Sequence, residues 1–424
     1  GNGTDWSNAA SWILNTGADA GGFLPGDSVL FDDTAAAGAG TVSLTSNVAP
    51  ASVTFAANTV NYVLGTANGS QITSGLLTKN GNGTLTINNA NSFGGGTTVN
   101  AGTLAVGAAG ALGSGAISVN GGILAVGVSG AIGGGAISVN SGGTLRLDVD
   151  GSPSASAIAL NSGGVVNLNG LTLGSAVTLN GGTLQGNGGT VSAAVADGTS
   201  TALAVGSDLR LTGANTFTGA ITISAGKTLE VGGAGTLKSG YAGAINDGGA
   251  FKFTSSANQT LAGNLNGTGS LTKDGAGTLT LTNATNALAG NISILAGTLE
   301  VGTAGLLNSG SYSGAIADAG TLRFNTSANQ TLAGVISGTG ALTNAGTGIL
   351  TLTGANTYSG ATTIGGANIE VTGAGALGSG GAYAGQVSVA TGLRLYINST
   401  ASQELSGKIT GAGRVEKNNT LSLI

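Results

Sequence analysis

The chain contains no cysteine, no histidine and no methionine. Without cysteine there is no disulfide, no thiolate nucleophile and no thiolate-bound zinc. Without histidine there is no Ser-His-Asp triad, no imidazole base and no His-bound metal or haem. Charge is scarce too. The 12 Lys and Arg and 17 Asp and Glu make up 7% of 424 residues, against roughly 25% in an ordinary globular protein. That leaves no Lys/Arg stripe of the kind that binds nucleic acid. No run approaches the roughly 20 apolar residues of a membrane helix. The sequence starts without Met, charged n-region or apolar h-region, and stops at Ser422-Leu423-Ile424 with no turn or cap. It reads as a piece cut from something longer.

What the chain has is glycine, 83 residues of it, and a 41% share of hydrophobic residues. That apolar share argues against a disordered, highly charged tail. The residues are organised as repeats, which come first because they decide the fold. From residue 97 to 184 the chain reads TTVNAGTLAVG, AISVNGGILAVG, AISVNSGGTLRLD, IALNSGGVVNLN and AVTLNGGTLQG. Asn100, Asn120, Asn140, Asn161 and Asn180 mark the turns, at nearly equal steps of about 20 residues. A short alternating strand precedes each Asn, and another follows after one to three small residues. Asn and Gly tolerate positive φ, so each is a sharp turn between strands.

A longer repeat covers the second half. Glu230, Glu300 and Glu370 recur at steps of 70, and Tyr241, Tyr312 and Tyr383 at steps of 71. Lys252, Arg323 and Arg394 keep the same spacing of 71, and Gln259, Gln330 and Gln403 recur with them. Dividing by about 23 residues gives three coils per long repeat, with coils of about 20 residues earlier in the chain. On that count the Tyr residues form a row along one side. Either each ring packs over its own turn, or the row presents aromatic platforms to a partner. Glu230 with Lys252, Glu300 with Arg323 and Glu370 with Arg394 are expected to pair, each one coil apart.

A period near 20 is too short for a sandwich or a propeller blade. Val, Ile, Leu and Thr alternate with period two, and no helical period of useful length is present. A coil of two or three short strands cannot bury its apolar face alone; stacking at ~4.8 Å buries it. The fold class is all-β: a single parallel β-helix of about 18–21 coils, with near-zero helix. The Asn column has its own reason, since identical amides stacked in register bond up and down. The alternation points Leu104, Val106, Leu124, Val126, Leu145 and Leu147 inward, and likewise Leu229, Val231, Phe251, Phe253, Leu299, Val301, Leu322 and Phe324.

Three segments, GNGTLTINNANSFGGGTTVNAGTLAVG at 81–107, DLRLTGANTFTGAITISAGKTLEVG at 208–232 and GILTLTGANTYSGATTIGGANIEV at 348–371, resemble the autotransporter-associated β-strand repeat. The resemblance covers roughly residues 75–424. It implies a right-handed β-helical passenger, exported through the outer membrane and displayed at the bacterial surface or secreted. It implies an export barrel or anchor outside this chain. The repeat carries no catalytic motif.

Residues 1–75 differ and read as an irregular N-terminal cap with the first coils; residues 76–424 read as the repeat region. Trp6 and Trp12 lie in the cap, with Phe23, Phe31 and Phe55. So do Asp5, Asp19, Asp27, Asp32 and Asp33, which carry the whole net charge of −5. LPGDSVLFDD at 24–33 reads turn, strand, turn. Asp27, Asp32 and Asp33 are hard oxygen ligands of the type calcium takes, but without RTX or EF-hand spacing. Arg146, Asp148 and Asp150 in LRLDVD are the best catalytic candidates, since β-helical polysaccharide enzymes use such groups on one strand face. The plainer reading makes them outward residues of an ordinary strand. Accordingly no catalytic, cofactor or metal residue is assigned and no cofactor is expected. The leading reading is a non-enzymatic adhesin or stalk that contacts glycans or other copies of itself through its surface. The alternatives are a polysaccharide-active β-helix enzyme, set apart by a groove with converging carboxylates, and a subunit of an extracellular filament or sheath.

Overall fold

A computed structural model describes residues 23–34, 40–66, 68–151, 153, 155, 157–199 and 202–418. Trp6, Trp12, Asp5, Asp19 and the final Ser422-Leu423-Ile424 lie outside the described residues. The fold is all-β, with parallel strands stacked as a β-solenoid of about 19 turns. Its one helical element among the described residues is a single 3-10 turn at Asn308–Gly310. The chain forms two compact units, Gly1–Leu203 with Ser207–Gly213, and Ala204–Gly206 with Ala214–Ile424.

In the first unit two long parallel sheets alternate along the chain. One runs from Ser28–Phe31 through Ser52–Phe55, Leu76–Lys79 and Thr97–Val99 to Val195–Asp197. The other runs from Thr41–Leu44 through Thr84–Ile87, Thr103–Val106 and Gly143–Leu147 to Thr183–Gln185. LPGDSVLFDD does form turn, strand, turn, and Phe31 stacks on Phe55 with ring centroids 4.6 Å apart. Register follows the sequence repeat: Leu104 faces Leu124, and Leu124 faces Leu145. All fourteen core residues named from alternation are buried. Burial of one such Leu stabilises by about 1.5–3 kcal/mol.

The second unit has three strands per coil, and here the coil count changes. Glu230 is followed in register by Lys252, Thr272 and then Ser293. Three coils therefore end at Ser293, and Glu300 lies further on, in a different sheet. The long repeat is three coils plus one strand, so each coil is shorter than a third of the repeat. Glu230, Glu300 and Glu370 consequently fall in three different sheets. The expected row of Tyr241, Tyr312 and Tyr383 along one side does not exist: they pair with Leu261, Leu332 and Leu405 in three separate ladders. A period of 70 fits three coils of 23 or ten strands of seven equally well, and only the strand pairing separates them.

Candidate interaction surface

The Asn column is the clearest surface feature of the first unit. Asn100 Nδ2 donates to Asn80 Oδ1 at 2.7 Å, Asn120 to Asn100 at 3.0 Å, and Asn140 to Asn120 at 2.7 Å. Asn161 continues to Asn140 at 2.6 Å and Asn180 to Asn161 at 2.8 Å. Asn180 Oδ1 ends the ladder by accepting from Thr199 N at 2.8 Å. Asn80, which the five-step repeat omits, is the first rung. Beside the column runs an outward row in register: Thr54, Thr78, Thr98, Ser118, Ser138, Ala159 and Thr178. It carries no charge. In the second unit the comparable row is Thr260, Thr280, Glu300, Arg323, Thr343, Thr363, Ser388 and Thr410. Rungs stand ~4.8 Å apart in both.

Charge pairing follows the expected register in two cases of three. Glu300 Oε2 lies 3.3 Å from Arg323 Nε across neighbouring strands. Glu230 stands opposite Lys252 and accepts a hydrogen bond from Thr254 Oγ1 at 2.6 Å. Glu370 instead stands opposite Tyr396, and Arg394 Nε donates to Glu416 at 2.8 Å in the following coil. This coil is longer, with 26 residues from Glu370 to its register partner against 23 from Glu300 to Arg323, so the position opposite Glu370 falls just past Arg394.

The Tyr rings are buried, not presented. Each hydroxyl donates to a glycine carbonyl of the preceding coil: Tyr241 to Gly219, Tyr312 to Gly290 and Tyr383 to Gly360. Tyr241, Tyr312 and Tyr383 are at most 1% exposed. Burial raises the Tyr312 and Tyr383 hydroxyl pKa above the ordinary phenol value. Glycine two residues after each Tyr is a packing requirement, because a Cβ on Gly314 would lie 2.7 Å from the Tyr312 ring. The aromatic-platform reading is thereby withdrawn.

The acidic candidates are already engaged. Asp27 accepts from Leu24 N at 2.8 Å, and Asp32 from Thr34 N at 2.9 Å. Asp33 accepts from Asn58 N and Thr59 N at 2.9 Å and from Val60 N at 3.1 Å. These N–H groups hold the Asp33 carboxyl well below its usual range. Among the described residues no group of three His, Cys, Asp or Glu could hold a metal ion. Arg146 clamps Asp148 with two bonds of 2.8 Å, and Asp150 accepts from Thr172 N at 2.8 Å one coil on. The three candidates are outward groups tied to neighbours rather than a converging set. Two shallow depressions, one beside Phe23, Pro25 and Val48 and one beside Thr222, Asn246 and Asn266, gather no set of carboxylates either.

Several inward polar residues escaped the reading of the sequence. Lys79, Lys273, Asp247 and Asp318 are buried. Lys273 Nζ donates to the carbonyls of Asp274, Gly275 and Ala296 at 3.0, 2.8 and 3.1 Å. Asp247 and Asp318 accept from Gly249 N and Gly320 N at 3.0 and 2.9 Å. Burial pushes the Asp318 carboxyl up to about 6 and lowers the Lys273 amine. The signal was present: each lies two residues after an inward Leu or Ile, hence on the same face.

Four segments, at 77–106, 206–231, 271–301 and 342–371, match the passenger-associated-transport-repeat. The chain carries four passenger repeats. Three contain most of the segments whose wording carried the resemblance, and the one at 271–301 is additional. Part of the chain is similar to the adhesin BmaC autotransporter of Brucella suis biovar 1 (strain 1330), at 46% identity over 67 residues. That stretch is 16% of this chain and 2% of the relative. The chain thus spans a small fraction of the relative's length. No solved structure matches. Passenger repeats of this type place the chain at the bacterial cell surface or outside the cell.

Proposed function

We propose that this passenger-repeat chain is a non-enzymatic, adhesin-like surface element that works by weak repeated contact with glycans or with other copies of itself. The observation that supports it is the uncharged row from Thr54 to Thr178, with a hydroxyl at every rung except Ala159, evenly stepped beside the Asn ladder. One hydroxyl contact is feeble, whereas a row repeated at a fixed step adds contacts without new ordering cost. The relative's name, an adhesin, agrees with this reading. Export through a membrane barrel outside residues 1–424 belongs to the same proposal. The test displays the chain on beads or cells and replaces Thr98, Ser118 and Ser138 together by Glu. Clumping or attachment to a glycan-coated surface should fall at least tenfold while the β-sheet circular dichroism stays. Unchanged attachment removes the row from the account, and turnover of a polysaccharide by the unaltered chain removes the adhesin reading.

A further inference from the structure

The repeat region keeps its aromatic side chains inside, with one exception. Every other Phe and Tyr at residues 76–424 is buried, whereas Tyr396 is partly exposed on the strand Arg394–Ser399. Leu395, Ile397 and Ser399 of that strand are buried, so alternation turns Tyr396 outward with Arg394 and Asn398. The position has two sister copies. Lys252, Arg323 and Tyr396 stand seven residues before Gln259, Gln330 and Gln403. Each also faces a glutamate across the ladder: Glu230 opposite Lys252, Glu300 opposite Arg323 and Glu370 opposite Tyr396. Two copies answer the carboxylate with a base; the third sets an aromatic ring against it. On an outer face that exchange gives up a charge pair and leaves apolar surface in water, so stability does not account for it.

The polar groups around the ring keep hydrogen-bonding capacity in hand. Among the described residues no hydrogen bond or ion pair engages the Glu370 carboxylate, in contrast to Glu300. On the rung beyond Tyr396 stands Glu416, held by Arg394 Nε at 2.8 Å. Asn368 Oδ1 accepts from Arg394 N at 2.9 Å, and Asn398 Oδ1 accepts from Asn418 N at 3.2 Å. These bonds fix both amides by their oxygens, and among the described residues neither Nδ2 has a partner. Three rungs at ~4.8 Å and three outward positions along the strand make a face of about 10 by 13 Å with the ring at its centre. Glu370 stands directly opposite the ring, whereas Arg414 is set diagonally from it.

We propose that the face centred on Tyr396 is a sugar-binding site for a neutral pyranose chain. The ring stacks on the C–H face of one sugar, an apolar surface that a base could not cover as well. The Glu370 carboxylate accepts from hydroxyls at the rim of that sugar, and the Asn368 and Asn398 Nδ2 groups donate to them, which fixes its orientation. An unanswered carboxylate beside the ring repels uronic and sialic acids, and Arg394 is already engaged by Glu416. The site shares with the function proposed above only the class of partner; it lies in the second unit and does not depend on the row from Thr54 to Thr178.

The test mixes the whole chain with soluble oligomers of glucose, galactose and mannose, and with oligogalacturonate as the acidic counterpart. Saturation transfer from protein to sugar protons is read by NMR. At least one neutral oligomer should show transfer, and more of it than oligogalacturonate. Tyr396→Lys installs the residue of a sister copy and restores the charge pair with Glu370, so the fold is kept. It should weaken binding roughly two- to tenfold, while Tyr396→Trp retains it. Glu370→Gln should weaken it as well. Replacing Thr98, Ser118 and Ser138 by Glu should leave the transfer unchanged, so this site and the hydroxyl row can fail separately. No transfer to any neutral oligomer overturns the proposal. Binding that survives Tyr396→Lys, or a preference for oligogalacturonate, overturns it too.

Discussion

Between Asn100 and Asn180 the polar groups that lock coil to coil stand outside the core; between Asn215 and Gln403 they stand inside it. The first stretch has its Asn ladder on a corner, and Ser175 is its buried polar side chain among the described residues. The second buries Asp247, Gln259, Lys273, Asn286, Asp318, Gln330, Asn344, Asn356 and Gln403, among others. The partners of the longer connections explain the difference. In the early coils the connections at 107–116 and 127–136 bond backbone to backbone, Gly110 N to Gly130 O at 2.7 Å and Leu112 N to Ala131 O at 3.3 Å. In the later coils the loops around Leu237, Leu307 and Leu377 have N–H and C=O groups that need other partners. Glutamine supplies them. Gln330 Oε1 accepts from Leu307 N at 2.8 Å while its Nε2 donates to Leu307 O at 3.2 Å, and Gln403 treats Leu377 alike at 2.7 and 2.9 Å. The outer ladder sets register; the inner polar residues stand in for backbone.

The largest expected effect tests the inner lock. Gln330→Leu leaves the Leu307 amide without a partner and removes the bonds of Gln330 Nε2 to the Leu307 and Thr331 carbonyls, the former keeping only the Gly310 N–H. It should destabilise the surrounding coils by about 3 kcal/mol, read as faster amide exchange over residues 303–332. A loss no greater than that of an outer rung would break the comparison. Next comes pH. The Asp318 carboxyl rises from 3.8 to about 6 on folding, so the folded chain holds its proton more tightly than the unfolded one. The resulting stability is complete below pH 3.8 and is lost as pH rises through about 6. Asp318→Asn should flatten this dependence and stabilise the second unit by about 2 kcal/mol at neutral pH, measured by chemical denaturation across pH; an unchanged slope would clear Asp318.

Tyr312→Phe removes one hydroxyl and orphans the Gly290 carbonyl. It should cost about 1.5 kcal/mol, with exchange at 290–292 as the readout. Asn140→Ala removes one rung that bonds on both sides. Because the corner is half-exposed, water replaces part of the loss, and about 1 kcal/mol is expected. Local exchange between 120 and 161 should report it without spreading to distant coils. Smallest is the Glu300–Arg323 pair, with the Arg323 side chain 44% exposed. A double-mutant cycle should give less than about 1 kcal/mol, falling with salt; a larger value would make charge a genuine lock of the second unit.

How much was legible divides along the same line. The stacked strands, the apolar interior and the Asn ladder follow from local pattern. Leu104, Leu124 and Leu145 alternate with outward residues, and asparagines recur at one coil length, so any stacking that buries the first aligns the second. Lys273 and Asp318 shared that inward parity, but their charge argued for solvent. Only the carbonyls of Gly275 and Ala296 around Lys273, and the Gly320 amide at Asp318, make their burial tolerable.

The sequence by itself determined that the chain is a strand-built repeat, which residues line its core, and that its chemistry is without cysteine, histidine or any obvious catalytic set. Tertiary structure alone decided which repeats share a face. A sequence period states how often a pattern returns, not how many times the chain has circled meanwhile. That number depends on each turn's length, and through it the three tyrosines went into separate buried ladders instead of one exposed row. It likewise decided that Arg394 meets Glu416 rather than Glu370, because strand pairing selects a partner that a count along the chain cannot.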